Sequence, residues 1–162
     1  MPRPSFTIEQ LLTILAETPR RIADITKDAP PTALHTAPHD EWSANDVLAH
    51  LRACADVWGG NIARMLAEDR PTWKAVNPRT WIESTDYASL QFQPSLRAFA
   101  EQRAALLAAL HATAPKGWSR TAIVTGGGSP LQLTVLDFAQ RLARHERPHV
   151  KQVTHVVAAM HA

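Results

Sequence analysis

The chain has 162 residues, of which 45% are hydrophobic and 20% are charged. That balance is ordinary for a soluble globular protein and excludes an intrinsically disordered chain, and the length predicts a single domain over residues 1–162. The net charge is only +2 and the basic residues are scattered along the chain, so a nucleic-acid partner is not expected.

The cellular compartment follows from what the sequence lacks. The opening stretch MPRPSFTIEQ has no apolar region of the kind that a secretory signal needs, and no run approaches the roughly 18 apolar residues of a membrane span. Cys54 is the only cysteine, so no intrachain disulfide can form and a cytoplasmic location without a membrane partner is expected. Its place on a helical apolar pattern makes Cys54 first a small core residue, with a thiol beside a metal as the sharper interpretation.

The first half of the chain contains two long helical patterns. The first begins with FTIEQLLTILAE, after which Thr18 and Pro19 offer a second helix start, so this part forms two helices or one kinked helix. The second, WSANDVLAHLRACADVWGGNIARML, has the clearest start in the sequence. Ser43 is its predicted N-cap, and Asp46 is the acid that completes a capping box.

Two further helical patterns occupy the second half. The third runs from about Pro94 to His111, and the fourth covers residues 135–160 with Thr134 as a candidate cap. Between them, WSRTAIVTGGGSPLQLT predicts a short irregular or extended insertion that turns at three glycines. Four long helical segments with few strand signals predict an all-α fold, a four-helix bundle.

The last pattern carries RLARHERPHVKQVTHVV, in which His145 and His149 lie four residues apart on one helix face. That face lies on or beside the apolar stripe, so two histidines there need something that keeps them neutral, and a shared metal ion does this. The alternative is a pair of partly exposed histidines that bind nothing. His35 and His39 have the same spacing, but they sit in a proline-broken connection where no helix aligns them.

The same stretch spells H-E-x-x-H, the signature of a zinc protease, with Glu146 as general base and His155 as third ligand. Two features oppose this interpretation. Gln152 replaces the glycine that would turn the chain, and in a continuing helix His155 lies about 240° around the axis from His149. His50, on the second helical pattern, is a better third ligand, because three histidines from two facing helices form a half-shell around one ion.

A family resemblance rests on stretches that follow one another from about residue 8 to residue 157: LAETPRRI, WSANDVLAHL, FAEQRAALLAAL, GWSR and ARHERPHVKQV. Together they resemble the DinB-like superfamily of four-helix-bundle metalloproteins, which includes bacterial thiol S-transferases and mycothiol-dependent maleylpyruvate isomerases. The resemblance implies that His50, His145 and His149 hold the metal. Pro148, between two of these ligands, departs from the family pattern and predicts a kink or a widened turn.

An open site of three imidazoles is typical of a catalytic centre, since structural zinc sites close with a fourth protein ligand. Zinc is the default ion, and nickel, iron or manganese also accept imidazole. The resemblance implies a thiol S-transferase-like enzyme, in which a metal-held low-molecular-weight thiol attacks an electrophilic small molecule. Water in that position would make the protein a metal-dependent hydrolase. A non-catalytic, stress-related helical bundle is the third alternative, and a homodimer is expected from the resemblance alone.

Other residues are candidates for supporting roles. Glu146 and Asp56 are candidates for moving protons or orienting a ligand ring, with a solvated helix residue as the alternative for each. The connection over residues 69–84 is long and rich in tryptophan and arginine, and loops of this kind often line sites. Alternatively, its tryptophans plug the bundle end or a dimer contact. The candidates for binding an apolar or anionic substrate there are Arg70, Trp73, Arg79 and Trp81.

Overall fold

The structure is a computed structural model that describes residues 5–160. Four long helical rods dominate it, so the predicted four-helix bundle is confirmed, and a small three-stranded sheet accompanies them. No helix of the described residues combines enough length and apolar character to cross a membrane. In chain order the helices and strands are α1 (Ile8–Thr26), α2 (Pro31–His35), α3 (Ala44–Cys54), α4 (Gly60–Ala67), β1 (Thr72–Lys74), α5 (Pro78–Trp81), α6 (Phe92–His111), β2 (Thr121–Thr125), β3 (Leu131–Thr134) and α7 (Val135–Met160).

The first helical pattern forms one helix, α1, and no second helix begins at Thr18. Pro19 lies inside α1, where it has no N–H group to offer to the carbonyl of Leu15 four residues earlier. Arg103 of α6 donates to that carbonyl at 2.9 Å. The proline is therefore tolerated because a side chain from another helix replaces the missing backbone hydrogen bond.

The second rod begins at the predicted cap and then changes its winding. The Ser43 hydroxyl accepts the Asp46 N–H and the Asp46 carboxylate accepts the Ser43 N–H, both at 3.0 Å. Residues Ala55–Gly59 form a π-helical turn that joins α3 to α4. Such turns frequently mark functional sites, and this one follows directly after Cys54.

Helix α6 begins two residues before the predicted Pro94. Its first N–H, from Phe92, donates to the ring of His35 at 3.1 Å, so a side chain from the end of α2 satisfies an N-terminal donor that would otherwise have no partner within the helix. His35 thus has a structural role, and His39 lies apart in a loop with a positive φ of 53°.

Helix α7 carries two of the predicted ligands and is the longest in the described residues. The Thr134 hydroxyl accepts the Asp137 N–H at 3.0 Å, which confirms the predicted cap. The helix then runs from Val135 to Met160 with Pro148 inside it. The proline therefore removes one backbone hydrogen bond without ending the helix.

The connection between α6 and α7 contains the predicted extended insertion. Strands β2 and β3 pair antiparallel, and Gly126 and Gly128 turn the chain between them with φ values of 101° and 104°, a region that favours glycine. Strand β1 adds parallel to β2, with Trp73 opposite Val124. The sequence did not predict β1, because three residues are too few to give a periodic signal.

The buried apolar side chains form two clusters, and α7 contributes to both. One cluster uses the second half of α7 and includes Leu48, Leu51, Phe92, Phe99, Val150, Val153 and Val156. The other uses the first half and includes Leu11, Leu15, Ile62, Met65, Leu110, Phe138 and Leu142. Residues 144–149 of α7 fall between the two clusters along the chain. The apolar core is therefore interrupted at the level of His145 and His149.

Candidate metal centre

Three histidine side chains converge in this gap. His50 comes from α3, and His145 and His149 come from successive turns of α7. The Nε2 atom of His145 lies 3.0 Å from that of His50 and 3.1 Å from that of His149. One nitrogen from each ring lies within 4.8 Å of the other two. The structure thus brings together the three residues that the sequence singled out as metal ligands.

The spacing of the nitrogens suits a shared cation. With metal–nitrogen bonds of about 2.1 Å, neighbouring ligands lie about 3.4 Å apart around a tetrahedral ion and about 3.0 Å apart around an octahedral one. The two measured separations, 3.0 and 3.1 Å, fall at the lower end of this range. The residues present therefore fit a divalent cation.

The tautomer of one ring is fixed by a neighbour. The Nδ1 atom of His149 lies 2.8 Å from the side-chain oxygen of Gln152, so Nδ1 carries the proton and Nε2 presents its lone pair to the other rings. In the sequence, Gln152 stands out only because it replaces the glycine of a protease motif. For His145, Nδ1 is buried without a hydrogen-bond partner among residues 5–160. Its ring instead packs edge-on against Trp58, with 5.1 Å between centroids.

The electrostatics of the site favour neutral rings. Burial, then the neighbouring His149 and Arg79, lowers the pKa of His50 to about 4. Burial, then His149, His50 and Arg79, lowers the pKa of His145 to about 4. Both rings are therefore unprotonated near neutral pH, and their lone pairs are available to a cation.

A sequence profile of the DinB superfamily matches residues 14–153, most of the chain. The chain belongs to the DinB superfamily. Among solved structures, YfiT from Bacillus subtilis matches with a TM-score of 0.79 and 19% sequence identity, over 99% of this chain and 93% of YfiT. YfiT is described as a probable metal-dependent hydrolase with an unusual four-helix bundle topology, and at this identity the likeness establishes the shared fold. No curated protein sequence matches the chain.

Cys54 lies beside the histidines of this DinB-superfamily protein. Its Sγ atom is 3.7 Å from Nε2 of His50 and 3.8 Å from Nε2 of His145. The thiol is buried, and burial, reinforced by Glu146 and opposed by Arg79, raises its pKa to about 12. Both interpretations from the sequence therefore describe it, because it is a core residue and a neighbour of the site. It is protonated at neutral pH without a metal.

The structure corrects the roles that were expected for Glu146. Its carboxylate is 1% exposed and forms a two-pronged ion pair with Arg103, in which Nη1 donates to Oε1 at 2.8 Å and Nη2 donates to Oε2. The hydroxyl of Thr18 also donates to Oε1 at 2.9 Å. Glu146 is therefore neither a solvated residue nor a free general base, because both oxygens are bonded to donors from α1 and α6. It ties α7 to those two helices next to His145.

Asp56 likewise has a structural role. It lies on the π-helical turn and accepts hydrogen bonds from Trp81 at 3.1 Å, Tyr87 at 2.6 Å and Gln102 at 2.6 Å. Burial, together with the hydrogen bond to Asp56, raises the pKa of Tyr87 to about 12, so the phenol keeps the proton that it donates. Asp56 thus fastens the connection after α4 to the bundle, and its expected role in orienting a ligand ring is corrected.

Of the four residues in that connection that were candidates for binding substrate, only one lines a cavity beside the histidines. Trp73 packs against Phe138 at 6.2 Å between ring centroids and belongs to an apolar cluster, and Arg70 is exposed. Arg79 instead lines a cavity of about 380 Å³ together with Trp42 and His50. Trp81 lies outside the residues that line this cavity, and its indole N–H donates to Asp56 at 3.1 Å.

Two tryptophans lie next to the histidines, and neither was predicted as a site residue from the sequence. Trp42 lies parallel to the ring of His149, with 6.5 Å between centroids and 8° between planes. On the other side, Trp58 and His145 line a second cavity of about 440 Å³. The sequence signals for Trp42 were its position directly before the Ser43 cap and its place at the start of WSANDVLAHL, one of the stretches that carry the family resemblance. The histidine centre is therefore reached from two cavities.

Proposed function

We propose that this protein is a metal-dependent hydrolase whose divalent cation is held by His50, His145 and His149. The observation that carries the proposal is the convergence of three imidazole nitrogens within 4.8 Å in the interior of the bundle. Bringing three uncharged ring nitrogens together without a ligand costs desolvation free energy that a shared cation offsets. The description of YfiT as a probable metal-dependent hydrolase supports the same reaction class.

The chemistry divides between the cation and the chain. When bound, a cation with three imidazole ligands and open coordination positions supplies Lewis acidity and lowers the pKa of a water molecule. The chain keeps the rings of His50 and His145 neutral, and Gln152 holds that of His149 in the tautomer that presents Nε2. Water adds across the substrate bond, so an ester would give a carboxylic acid and an alcohol.

Several cations suit a site of three imidazoles. Zinc is the first candidate, and nickel, iron and manganese are the others, since imidazole accepts all four. Glu146 and Asp56 are both held by other donors, so neither carboxylate is free to act as a base. The proposal therefore assigns the activation of water to the cation.

The test is hydrolysis of an activated ester by protein loaded separately with each of the four ions. We expect 4-nitrophenyl acetate to be hydrolysed by at least one loaded form, and the activity to be lost on chelation and in His145→Ala. His155→Ala is the matched control, because His155 lies on the same helix with a side chain that is 69% exposed. Equal rates in all loaded and metal-free forms would reject the proposal and favour a non-catalytic bundle.

Thiol transfer is the second candidate. The observation that favours it is the second cavity, beside His145, which gives room for a low-molecular-weight thiol while the substrate occupies the cavity beside His50. In that reaction the thiol sulfur bonds to the electrophilic carbon, the leaving group departs, and the thiol proton goes to solvent. Loaded protein, a panel of thiols and an electrophilic acceptor test it, with a thioether product expected. Formation of the hydrolysis product alone would leave hydrolysis as the reaction.

A further inference from the structure

The cavity beside His50 combines a cation, an aromatic surface and the candidate metal centre. Apart from two alanines, the residues that line it are Trp42, Asp46, His50, Arg79 and Ile82. Its volume of about 380 Å³ lies within the range of cavities that bind small molecules. A single small ligand can therefore contact the guanidinium, the indole and the histidine centre at once.

The guanidinium N–H groups of Arg79 have no acceptor among the residues that the structure describes. Its side chain makes no hydrogen bond or ion pair with the residues that the structure describes, while its backbone N–H donates to the side-chain oxygen of Asn77 at 2.9 Å. The guanidinium lies over Trp42, with 5.9 Å from its carbon to the ring centroid. A cation–π contact of this kind orients the guanidinium while leaving its N–H groups available.

The charge of Arg79 reaches the histidines. It contributes to the lowered pKa of both His50 and His145, so its field extends over the candidate metal centre. The one acidic residue in the lining, Asp46, has a carboxylate that accepts the Ser43 N–H at the N-terminus of α3. That end of the helix carries partial positive charge, which offsets the carboxylate.

We propose that this cavity selects substrates that carry a carboxylate, bound by Arg79, on a flat apolar body, bound by Trp42. This inference rests on the proposed hydrolase function and names its substrate class. The planar fork of N–H groups in a guanidinium matches the two oxygens of a carboxylate. Trp42 is 36% exposed, so its indole can offer a face to the apolar part, and Ile82 lines the same cavity.

The test compares benzoate with its neutral counterpart benzamide by isothermal titration calorimetry on the zinc-loaded, full-length protein. We expect benzoate to bind about tenfold tighter or more, since a charged hydrogen-bonded pair replaces a neutral one. Arg79→Met should remove most of that preference. Arg97→Met is the control, because Arg97 is an exposed arginine on α6, away from this cavity, and the change alters the net charge equally. The preference of Arg97→Met for benzoate over benzamide should match that of wild type.

Further arms separate the possible explanations. A carboxylate can also bind zinc directly, so the same titrations on metal-free protein should keep the preference in wild type and lose it in Arg79→Met. Trp42→Leu should weaken benzoate and benzamide alike. Equal affinities of wild type for the two ligands, no binding of benzoate, or equal preference in Arg79→Met and Arg97→Met would overturn the proposal. Protein that binds benzoate through Arg79 but hydrolyses nothing would refute the hydrolase function alone.

Discussion

Replacing Arg103 with methionine tests how the metal-binding helix is held. Arg103 is 2% exposed and joins three helices, since it pairs with Glu146 of α7 and donates to the Leu15 carbonyl that Pro19 of α1 leaves without a partner. Methionine keeps most of the apolar stem but removes every donor. The Glu146 carboxylate then stays buried with the Thr18 hydroxyl as its remaining partner.

The expected cost follows from these contacts. Removing one partner of a buried ion pair destabilises proteins by about 3–5 kcal/mol, because the other charge is left uncompensated. The double variant Arg103→Met/Glu146→Leu removes both charges, and only the Leu15 carbonyl remains without its donor, at a cost of about 1–3 kcal/mol. Because the Leu15 carbonyl lacks its donor in both variants, the second substitution should restore most of the about 3–5 kcal/mol that the uncompensated charge costs.

Urea unfolding of metal-free protein, followed by circular dichroism, measures these free energies without the contribution of a bound cation. Arg97→Met, an exposed substitution on the same helix, should stay within about 0.5 kcal/mol of wild type. The reasoning is refuted if Arg103→Met costs less than about 1 kcal/mol, or if the double variant is less stable than the single one.

Three further predictions concern the site itself. Burial lowers the pKa of His50 and His145 to about 4. The free energy of unfolding of metal-free protein should therefore be highest above about pH 6.5 and fall as the pH falls towards 4, because in that range the unfolded chain takes up protons at these residues and the folded one does not. Urea unfolding measured against pH should show a smaller fall in His50→Gln/His145→Gln, and an equal slope would contradict this. Gln152→Leu should weaken zinc binding by about 10–100-fold in chelator competition, while Gln152→Glu retains it; unchanged affinity in Gln152→Leu would remove its orienting role. Cobalt-loaded protein should lack a sulfur-to-metal charge-transfer band, and Cys54→Ala should keep its metal; a band that disappears in Cys54→Ala would make the thiol a fourth ligand.

Local signals in the sequence predicted the four long helical segments and the starts of two of them. The caps at Ser43 and Thr134 are short-range hydrogen bonds between residues three apart, so they can be read from the sequence alone. The histidine set was also predictable, because the i, i+4 spacing of His145 and His149 places two rings on one face. His50 was added by the family resemblance and by the argument that a ligand must come from a facing helix.

The contacts that the sequence did not reveal join residues far apart in the chain. Nothing local marks Arg103 as the partner of Glu146 or as the donor to α1, and the H-E-x-x-H pattern pointed to proton transfer. Arg79 lies in a connection that Asp56 helps to hold by accepting hydrogen bonds from Trp81 and Tyr87, residues far from Asp56 in the chain. Strand β1 depends in the same way on pairing with β2, which no three-residue window encodes.

The measurement that tests the central claim most directly is the metal content of purified protein after zinc loading and desalting, determined by elemental analysis. The account predicts one zinc ion per chain in wild type and in the exposed control His155→Ala, and loss of the ion in His50→Ala, His145→Ala and His149→Ala. Equal zinc content in wild type and the three site variants would contradict it.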